Sequence, residues 1–199
     1  MLFQKWLVVL LVVVGIPLGM TLLVQPYMDL GRARHLCWRS QYAQALRLLD
    51  RGISIGSSYG QLFALRGLVY DHLKQTDKAA ADYDEALKRL PDDPVILNNR
   101  GWLEAETGKF EQSVADTTRA LPLASDELKP YILDTRGYAY LKSGKLDLAL
   151  RDLHQAIELN SAFVPAIIHR SICQRELGHE DLARADELRA YELGGMKHD

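Results

Sequence analysis

The sequence has little of what disulfide-rich domains, metal sites and common catalytic motifs require. Only two of its 199 residues are cysteines, so neither a disulfide framework nor a cysteine-based metal site is expected. Its six histidines are scattered, and no HExxH motif, glycine-rich phosphate loop or nucleophile elbow occurs. These absences predict a protein that is not an enzyme, with no metal, no other cofactor and no small-molecule substrate.

The sequence also lacks a cluster of charge of one sign. Its 24 basic and 26 acidic residues are interspersed, which is typical of solvated helix faces. Binding to nucleic acid requires a concentration of basic side chains on one face. The charge pattern therefore predicts that nucleic acid is not a partner.

One long run without any charge stands at the N-terminus. Residues 6–24, WLVVLLVVVGIPLGMTLLV, are long enough as a helix to cross a hydrocarbon layer about 30 Å thick. They predict an uncleaved transmembrane anchor behind a short tail at residues 1–5, and hence a single-pass membrane protein. The alternative is a cleaved signal peptide in which Lys5 provides the positive region. The arginines that follow the run favour a cytoplasmic position for the rest of the chain: Arg32, Arg34 and Arg39.

Small residues recur along the remainder of the chain at intervals of 34 to 36 residues. Gly101 has counterparts at three other positions, and two further small residues follow each of the four at offsets of 12 and 19. The chain contains these four sets: Gly67, Ala79 and Ala86; Gly101, Ser113 and Ala120; Gly137, Ala149 and Ala156; Ser171, Ala183 and Ala190. An earlier set, Ala33, Ala45 and Gly52, indicates a degenerate repeat just after the apolar run.

The apolar residues between these positions have helical periodicity, with breaks at Gly108, Gly144 and Gly178. Each repeat is therefore predicted to be a helix, a short turn and a second helix. A glycine inside a helix costs about 1 kcal/mol relative to alanine, so its recurrence needs a compensating gain. We expect that gain to come from close packing of the two helices where no side chain separates them.

An arginine and an aspartate also recur in every clear repeat, always 16 residues apart. The arginine precedes the small residue of the first helix, and the aspartate lies in the second helix. We predict an internal ladder of ion pairs, within or between neighbouring repeats: Arg66 with Asp82, Arg100 with Asp116, Arg136 with Asp152, and Arg170 with Asp186.

This repeat resembles the tetratricopeptide repeat, a helix-turn-helix unit of 34 residues with small residues at its eighth, twentieth and twenty-seventh positions. Tyr70 and Tyr140 at the eleventh position, Tyr83 at the twenty-fourth and Pro91 at the end of a repeat add to the resemblance. It implies an all-α, right-handed solenoid of about five antiparallel helix pairs, preceded by one N-terminal transmembrane helix. The predicted segments are a juxtamembrane region with the degenerate repeat at 25–59, repeats at 60–93, 94–129 with a two-residue insertion, 130–163 and 164–193, and a tail at 194–199.

The resemblance implies a concave surface, lined by the first helix of each repeat, that binds a protein or peptide partner. Trp102 and Tyr138 occupy equivalent places in successive repeats, so we expect them to lie side by side and to anchor the partner. The alternative is that both simply fill gaps between repeats. The predicted lining residues are Asp71, His72, Asn98, Asn99, Trp102, Glu106, Asp134, Thr135, Tyr138, Lys142, His169 and Arg175.

Two classes of function follow from these expectations. The first is a membrane-anchored interaction scaffold that recruits a partner beside the membrane. The second is a permanent architectural or assembly subunit of a larger membrane complex. The polar and aromatic character of the predicted lining favours the first.

Overall fold

Helices account for all the regular structure in the residues that the computed structural model describes, 18–55 and 59–194, and no strand occurs among them. These residues fall into two compact units that divide after Arg89. The first unit contains α1 (Leu18–Trp38), α2 (Tyr42–Ser54), α3 (Gly60–His72) and α4 (Thr76–Arg89). The second contains α5 (Pro94–Glu106), α6 (Phe110–Ala120), α7 (Lys129–Lys142), α8 (Leu146–Leu159), α9 (Val164–Glu176) and α10 (Glu180–Glu192).

Consecutive helices joined by short turns pack as antiparallel pairs, two in the first unit and three in the second. The predicted all-helical repeat of five helix pairs is therefore confirmed for the described residues. A short 3-10 helix, Leu121–Leu123, follows α6 and absorbs part of the predicted two-residue insertion. Each unit has its own apolar core, with Leu49 and Leu62 among the buried residues of the first and Leu153 and Ile167 among those of the second.

The recurring small residues mark the points where paired helices approach most closely. A Cβ atom at Gly137 would lie 2.9 Å from Leu153 Cγ, and one at Gly101 would lie 3.1 Å from Thr117 Cγ2. These separations are shorter than ordinary van der Waals contact. A side chain at Gly101 or Gly137 would crowd the facing helix, in agreement with the close approach that the sequence predicts.

The turns inside the pairs end the first helix with a residue in the left-handed conformation. Gly108 and Gly144 have φ of +79° and +74°, which glycine adopts without steric cost. The equivalent places in the first unit hold Ser40 and Lys74, with φ of 55° and 58°. The first unit thus keeps the same turn geometry without glycine. The spacing of glycines in the sequence did not reveal these two turns.

The predicted membrane span lies largely outside the described residues. From Leu18 onward the chain is helical, and α1 continues through residue 24, the predicted end of the span, as far as Trp38. Among the described residues, no helix has the combination of length and apolar character that crossing a bilayer requires.

The arginine–aspartate ladder is confirmed, and every pair joins the two helices of a single repeat. In each, the guanidinium Nε and Nη2 donate to the two carboxylate oxygens at 2.6–2.9 Å. The first helix pair has the opposite arrangement, because Arg51 on α2 donates to Asp29 on α1. The residues of this pair are 22 apart, and the 16-residue rule did not identify it.

Candidate functional site

Two aromatic side chains project from neighbouring first helices of the second unit. Trp102 lies on α5 and Tyr138 on α7, each directly after the glycine at which its helix crosses its partner. Both side chains are half-buried. Their rings stack with centroids 5.0 Å apart and planes 25° from parallel, so the prediction that they lie side by side is confirmed.

A third ring, His169 on α9, packs against this pair at a tilt. Its centroid lies 4.8 Å from that of Tyr138 and 6.2 Å from that of Trp102. We call Trp102, Tyr138 and His169 the aromatic ridge. Because three successive first helices each provide one ring, the ridge runs across all three repeats of the second unit.

The orientation of His169 is set by a buried carboxylate. Its Nδ1 lies 2.7 Å from Oδ1 of Asp134, whose side chain is only 7% exposed. A carboxylate can only accept a hydrogen bond, so Nδ1 carries the proton and donates it. This bond holds the imidazole against the ring of Tyr138.

The exposed edge of the ridge carries polar groups that satisfy one another. The hydroxyl of Tyr138 donates to Oε1 of Glu106 at 2.9 Å, and the Lys142 ammonium lies 5.9 Å from the centre of the Tyr138 ring. Partial burial, followed by the bond to Glu106, raises the pKa of Tyr138 to about 12. The phenol therefore stays protonated at physiological pH and acts there as a hydrogen-bond donor.

The remaining predicted lining residues are less closely associated with the ridge. Asn98 and Asn99 are half-buried on α5, one turn before Trp102, and Oδ1 of Asn98 has no hydrogen-bond partner among the described residues. Thr135 is buried and its hydroxyl donates to the backbone oxygen of Tyr131 within α7. Because the residue is buried and its hydroxyl is bonded within α7, the Thr135 hydroxyl does not lie at the surface.

Three other predicted residues make separate contacts. Arg175 pairs with Glu187 and Glu180 on α10, at 2.5 and 3.7 Å. Asp71 and His72 belong to the first unit, where the His72 ring stacks on Tyr42 with centroids 5.3 Å apart.

The structure adds one apolar side chain that the sequence reasoning missed. Ile172 follows Ser171 on α9 as Trp102 and Tyr138 follow their glycines, and it is 38% exposed. The repeat spacing alone could have identified this position. By contrast, the repeat spacing does not pair His169 with Asp134, because Asp134 lies three residues before Gly137 whereas His169 lies two residues before Ser171, so the two do not occupy equivalent places.

The titratable side chains of the ridge do not form a metal site. No group of three or more histidine, cysteine, aspartate or glutamate side chains is placed to hold a metal ion in the part of the chain that the structure describes. The site offers aromatic surfaces, a phenol oxygen that can accept a hydrogen bond and a rim of opposite charges. Such an arrangement is suited to holding a partner by contact.

Comparison with known proteins places the fold among helical repeats. Residues 60–93 and 131–163 match the family model described as tetratricopeptide repeat. No curated protein sequence matches the chain significantly.

Several solved structures have a similar fold at low sequence identity. PilW, described as a widely conserved type IV pilus biogenesis factor, is 20% identical with a TM-score of 0.81, over 87% of this chain and 79% of PilW. The Pseudomonas aeruginosa pilF protein is 17% identical with a TM-score of 0.74, over 88% and 78%. YrrB, described as a TPR protein with an unusual peptide-binding site, is 17% identical with a TM-score of 0.64, over 83% and 84%.

Proposed function

We propose that this chain, which contains tetratricopeptide repeats at residues 60–93 and 131–163, is an interaction scaffold that holds a peptide or protein partner on its aromatic ridge. The observation that carries the proposal is the cluster of Trp102, Tyr138 and His169, three half-buried rings from the first helices of three successive repeats. Similar folds include one protein described by its peptide-binding site, which supports a peptide as the class of partner.

The ridge has the properties that make aromatic side chains effective anchors. Trp and Tyr dominate binding energies at interfaces when they are rigid and can be desolvated. Here the rings are held in place by stacking and by the bonds of Tyr138 to Glu106 and of His169 to Asp134. Little side-chain freedom remains to be lost when a partner binds, which favours affinity.

The same bonds favour binding over catalysis. Tyr138 has a raised pKa and already donates its proton to Glu106, so its hydroxyl is poorly suited to act as a nucleophile at neutral pH. His169 is engaged with Asp134 and lies against two rings. We therefore propose a role without an enzymatic reaction or a cofactor.

We further propose that residues 6–24 anchor the scaffold in a membrane as an uncleaved, single-pass segment, with the repeats on the cytoplasmic side. The absence of any charged residue over this length of sequence supports the span, and Arg32, Arg34 and Arg39, which follow it, support the cytoplasmic side. Carbonate washing of membranes and the intact mass of the recovered protein test this part. Recovery of soluble protein that lacks the apolar run would show that the segment is a cleaved signal.

The ridge is tested with the double variant Trp102→Ala and Tyr138→Ala in the full chain. A partner recovered by pull-down from detergent-solubilised native membranes is identified, and its affinity is measured for both proteins. We expect the double variant to bind about 30-fold more weakly, or worse, corresponding to a loss of roughly 2 kcal/mol. The matched control is Tyr191→Ala, which removes an aromatic side chain that is 42% exposed on α10.

Thermal melting of the same variants separates binding from packing. If the two rings only fill space between repeats, each truncation costs about 3 kcal/mol of stability, and the folded remainder binds the partner with full affinity. That result would remove the ridge as the binding site. A fixed set of stoichiometric partners that survives high salt would instead indicate a permanent subunit of a larger complex.

A further inference from the structure

The charge of the chain is distributed unevenly between the first helix pair and the rest. Residues 26–55 contain five arginines and two acidic residues, whereas residues 56–199 contain 18 basic and 24 acidic residues. The near-neutral total thus conceals a basic segment that directly follows the apolar run at residues 6–24.

The two aspartates of this segment do not neutralise its outer face. Asp29 is fully buried and accepts two bonds from Arg51, and Asp50 accepts a bond from Arg66 on α3. The charged side chains left exposed on α1 and at its C-terminal end are therefore all arginines: Arg32, Arg34 and Arg39.

A large aromatic side chain lies among them. Trp38 is 83% exposed, and its ring lies 6.2 Å from that of His35. Leu30 and Ala33 pack in the core of the first unit and so fix which side of α1 is exposed. Arg34 lies at the flank of that side beside Leu30, where it donates to Gln61 on α3 at 3.1 Å. We call Arg32, Arg34, His35, Trp38 and Arg39 the cationic–aromatic surface.

We propose that the cationic–aromatic surface lies against the headgroups of anionic lipids and holds the part of α1 that follows Pro26 along the membrane. A proline inside a helix removes a backbone hydrogen bond and bends the helix, so this part need not continue the direction of residues 18–24. Its location beside a bilayer rests on the proposed anchor at residues 6–24. Arginines close to a membrane segment are attracted to anionic headgroups, and tryptophan prefers the interface between headgroups and acyl chains. An acidic protein segment would match the charge equally well, but it would not be held beside the surface by the chain itself.

The dimensions of α1 determine its orientation in this arrangement. At about 1.5 Å per residue, Arg32 lies roughly 12 Å and Trp38 roughly 21 Å along the helix from residue 24. The headgroup layer is only about 5–8 Å thick, so an upright helix would carry Trp38 well beyond it. Tyr27, which is 58% exposed, lies eleven residues before Trp38 and on nearly the same face of α1. Exposed aromatic side chains near both ends of one face fit a helix that lies along the bilayer.

The test uses the full chain reconstituted in vesicles of bromine-labelled phosphatidylcholine, with and without phosphatidylglycerol. Bromine quenches tryptophan fluorescence at short range, and the part of the quenching that is lost in Trp38→Phe reports on Trp38 alone. We expect this part to be large only when phosphatidylglycerol is present. It should disappear at about 1 M salt, where the screening length falls to about 3 Å.

Replacement of Arg32, Arg34 and Arg39 by glutamine tests the charge directly. Each arginine is expected to contribute roughly fivefold to the ratio of docked to undocked protein, so the triple variant should lower that ratio by about 100-fold. The matched control replaces three exposed basic residues of the second unit by glutamine: Lys145, Arg151 and Arg184. This control removes the same charge and should leave the Trp38 signal unchanged.

Two results would overturn the proposal. One is equal quenching of Trp38 in neutral and anionic vesicles that the arginine variant does not change. The other is that polyglutamate binds the chain in neutral vesicles in an arginine-dependent way, while phosphatidylglycerol has no effect on the quenching of Trp38. That result would assign the surface to an acidic polypeptide.

Failure of the anchor would give a different pattern. A chain that carbonate releases from neutral vesicles, but that floats with anionic vesicles in an arginine-dependent way, would remove the anchor and keep the lipid surface. A chain that resists carbonate without arginine-dependent quenching would keep the anchor and remove the surface.

Discussion

The ion pair between Arg136 and Asp152 provides a strong test of how the repeats are stabilised. Arg136 on α7 donates from Nε and Nη2 to the carboxylate of Asp152 on α8, at 2.6 and 2.9 Å. Its Nη1 also donates to the hydroxyl of Thr118 on α6, at 3.1 Å. One guanidinium therefore joins the two helices of its own repeat and the second helix of the repeat before it.

The expected magnitude follows from the burial of the two side chains. Asp152 is 5% exposed and Arg136 is 18% exposed. In Arg136→Ala the carboxylate stays in a buried position without its donors, and breaking a buried pair in this way costs about 3–5 kcal/mol. Because the guanidinium is partly hydrated, we expect the lower end, about 3 kcal/mol. For a chain of this size the melting temperature should fall by about 6–12 °C.

Removal of the aspartate should be less damaging. In Asp152→Ala the guanidinium can turn toward solvent, so we expect a loss of about 1–2 kcal/mol. The double variant should lose less than the sum of the two single variants, with a coupling of about 1–3 kcal/mol. Thermal melting and urea unfolding of the full chain, followed by circular dichroism, measure all three variants.

An exposed pair in the same unit provides the control. Arg119 and Asp92 are 2.7 Å apart, and their side chains are 50% and 66% exposed. Asp92→Ala should therefore cost under about 1 kcal/mol. Burial would not govern the strength of these pairs if Arg136→Ala cost no more than Asp92→Ala, or if the effects of Arg136→Ala and Asp152→Ala simply added.

Three further predictions concern single side chains. Gly137→Ala should lower the free energy of unfolding by about 1–3 kcal/mol, because the new Cβ would lie 2.9 Å from Leu153 Cγ. An unchanged melting temperature would show that the helices can separate freely. Tyr83→Phe should leave the melting temperature unchanged or raise it, because the buried Tyr83 hydroxyl has no hydrogen-bond partner among the described residues, and a clear loss of stability would reveal one. Tyr138 should ionise near pH 12 in an ultraviolet titration, and Glu106→Gln should lower this pKa. A tyrosine in the unfolded chain ionises near pH 10. The contribution of Tyr138 to stability should therefore be complete below pH 10 and lost as the pH rises to about 12. Titration of every tyrosine near pH 10 would contradict this assignment.

The contacts that could be predicted from the sequence lie inside single repeats. Arg136 and Asp152 are separated by one turn and by fixed lengths of helix, so their pairing follows from the hairpin itself. The same holds for Gly137 and Leu153, where the spacing of small residues identified the close crossing. The adjacency of Trp102 and Tyr138 was predictable because equivalent residues of successive repeats are neighbours.

The sequence by itself determined the helical class, the number of helix pairs, the turns at Gly108, Gly144 and Gly178 and the ion-pair ladder of the four clear repeats, because each of these depends on short spacings that recur. Only the tertiary structure decided that His169 completes the ridge and that Asp134 orients it. It also decided that the first pair joins Asp29 to Arg51 in the reverse sense. Such contacts depend on how one helix packs across another, and the rotation and crossing of packed helices arise from many side chains together, which no local spacing encodes.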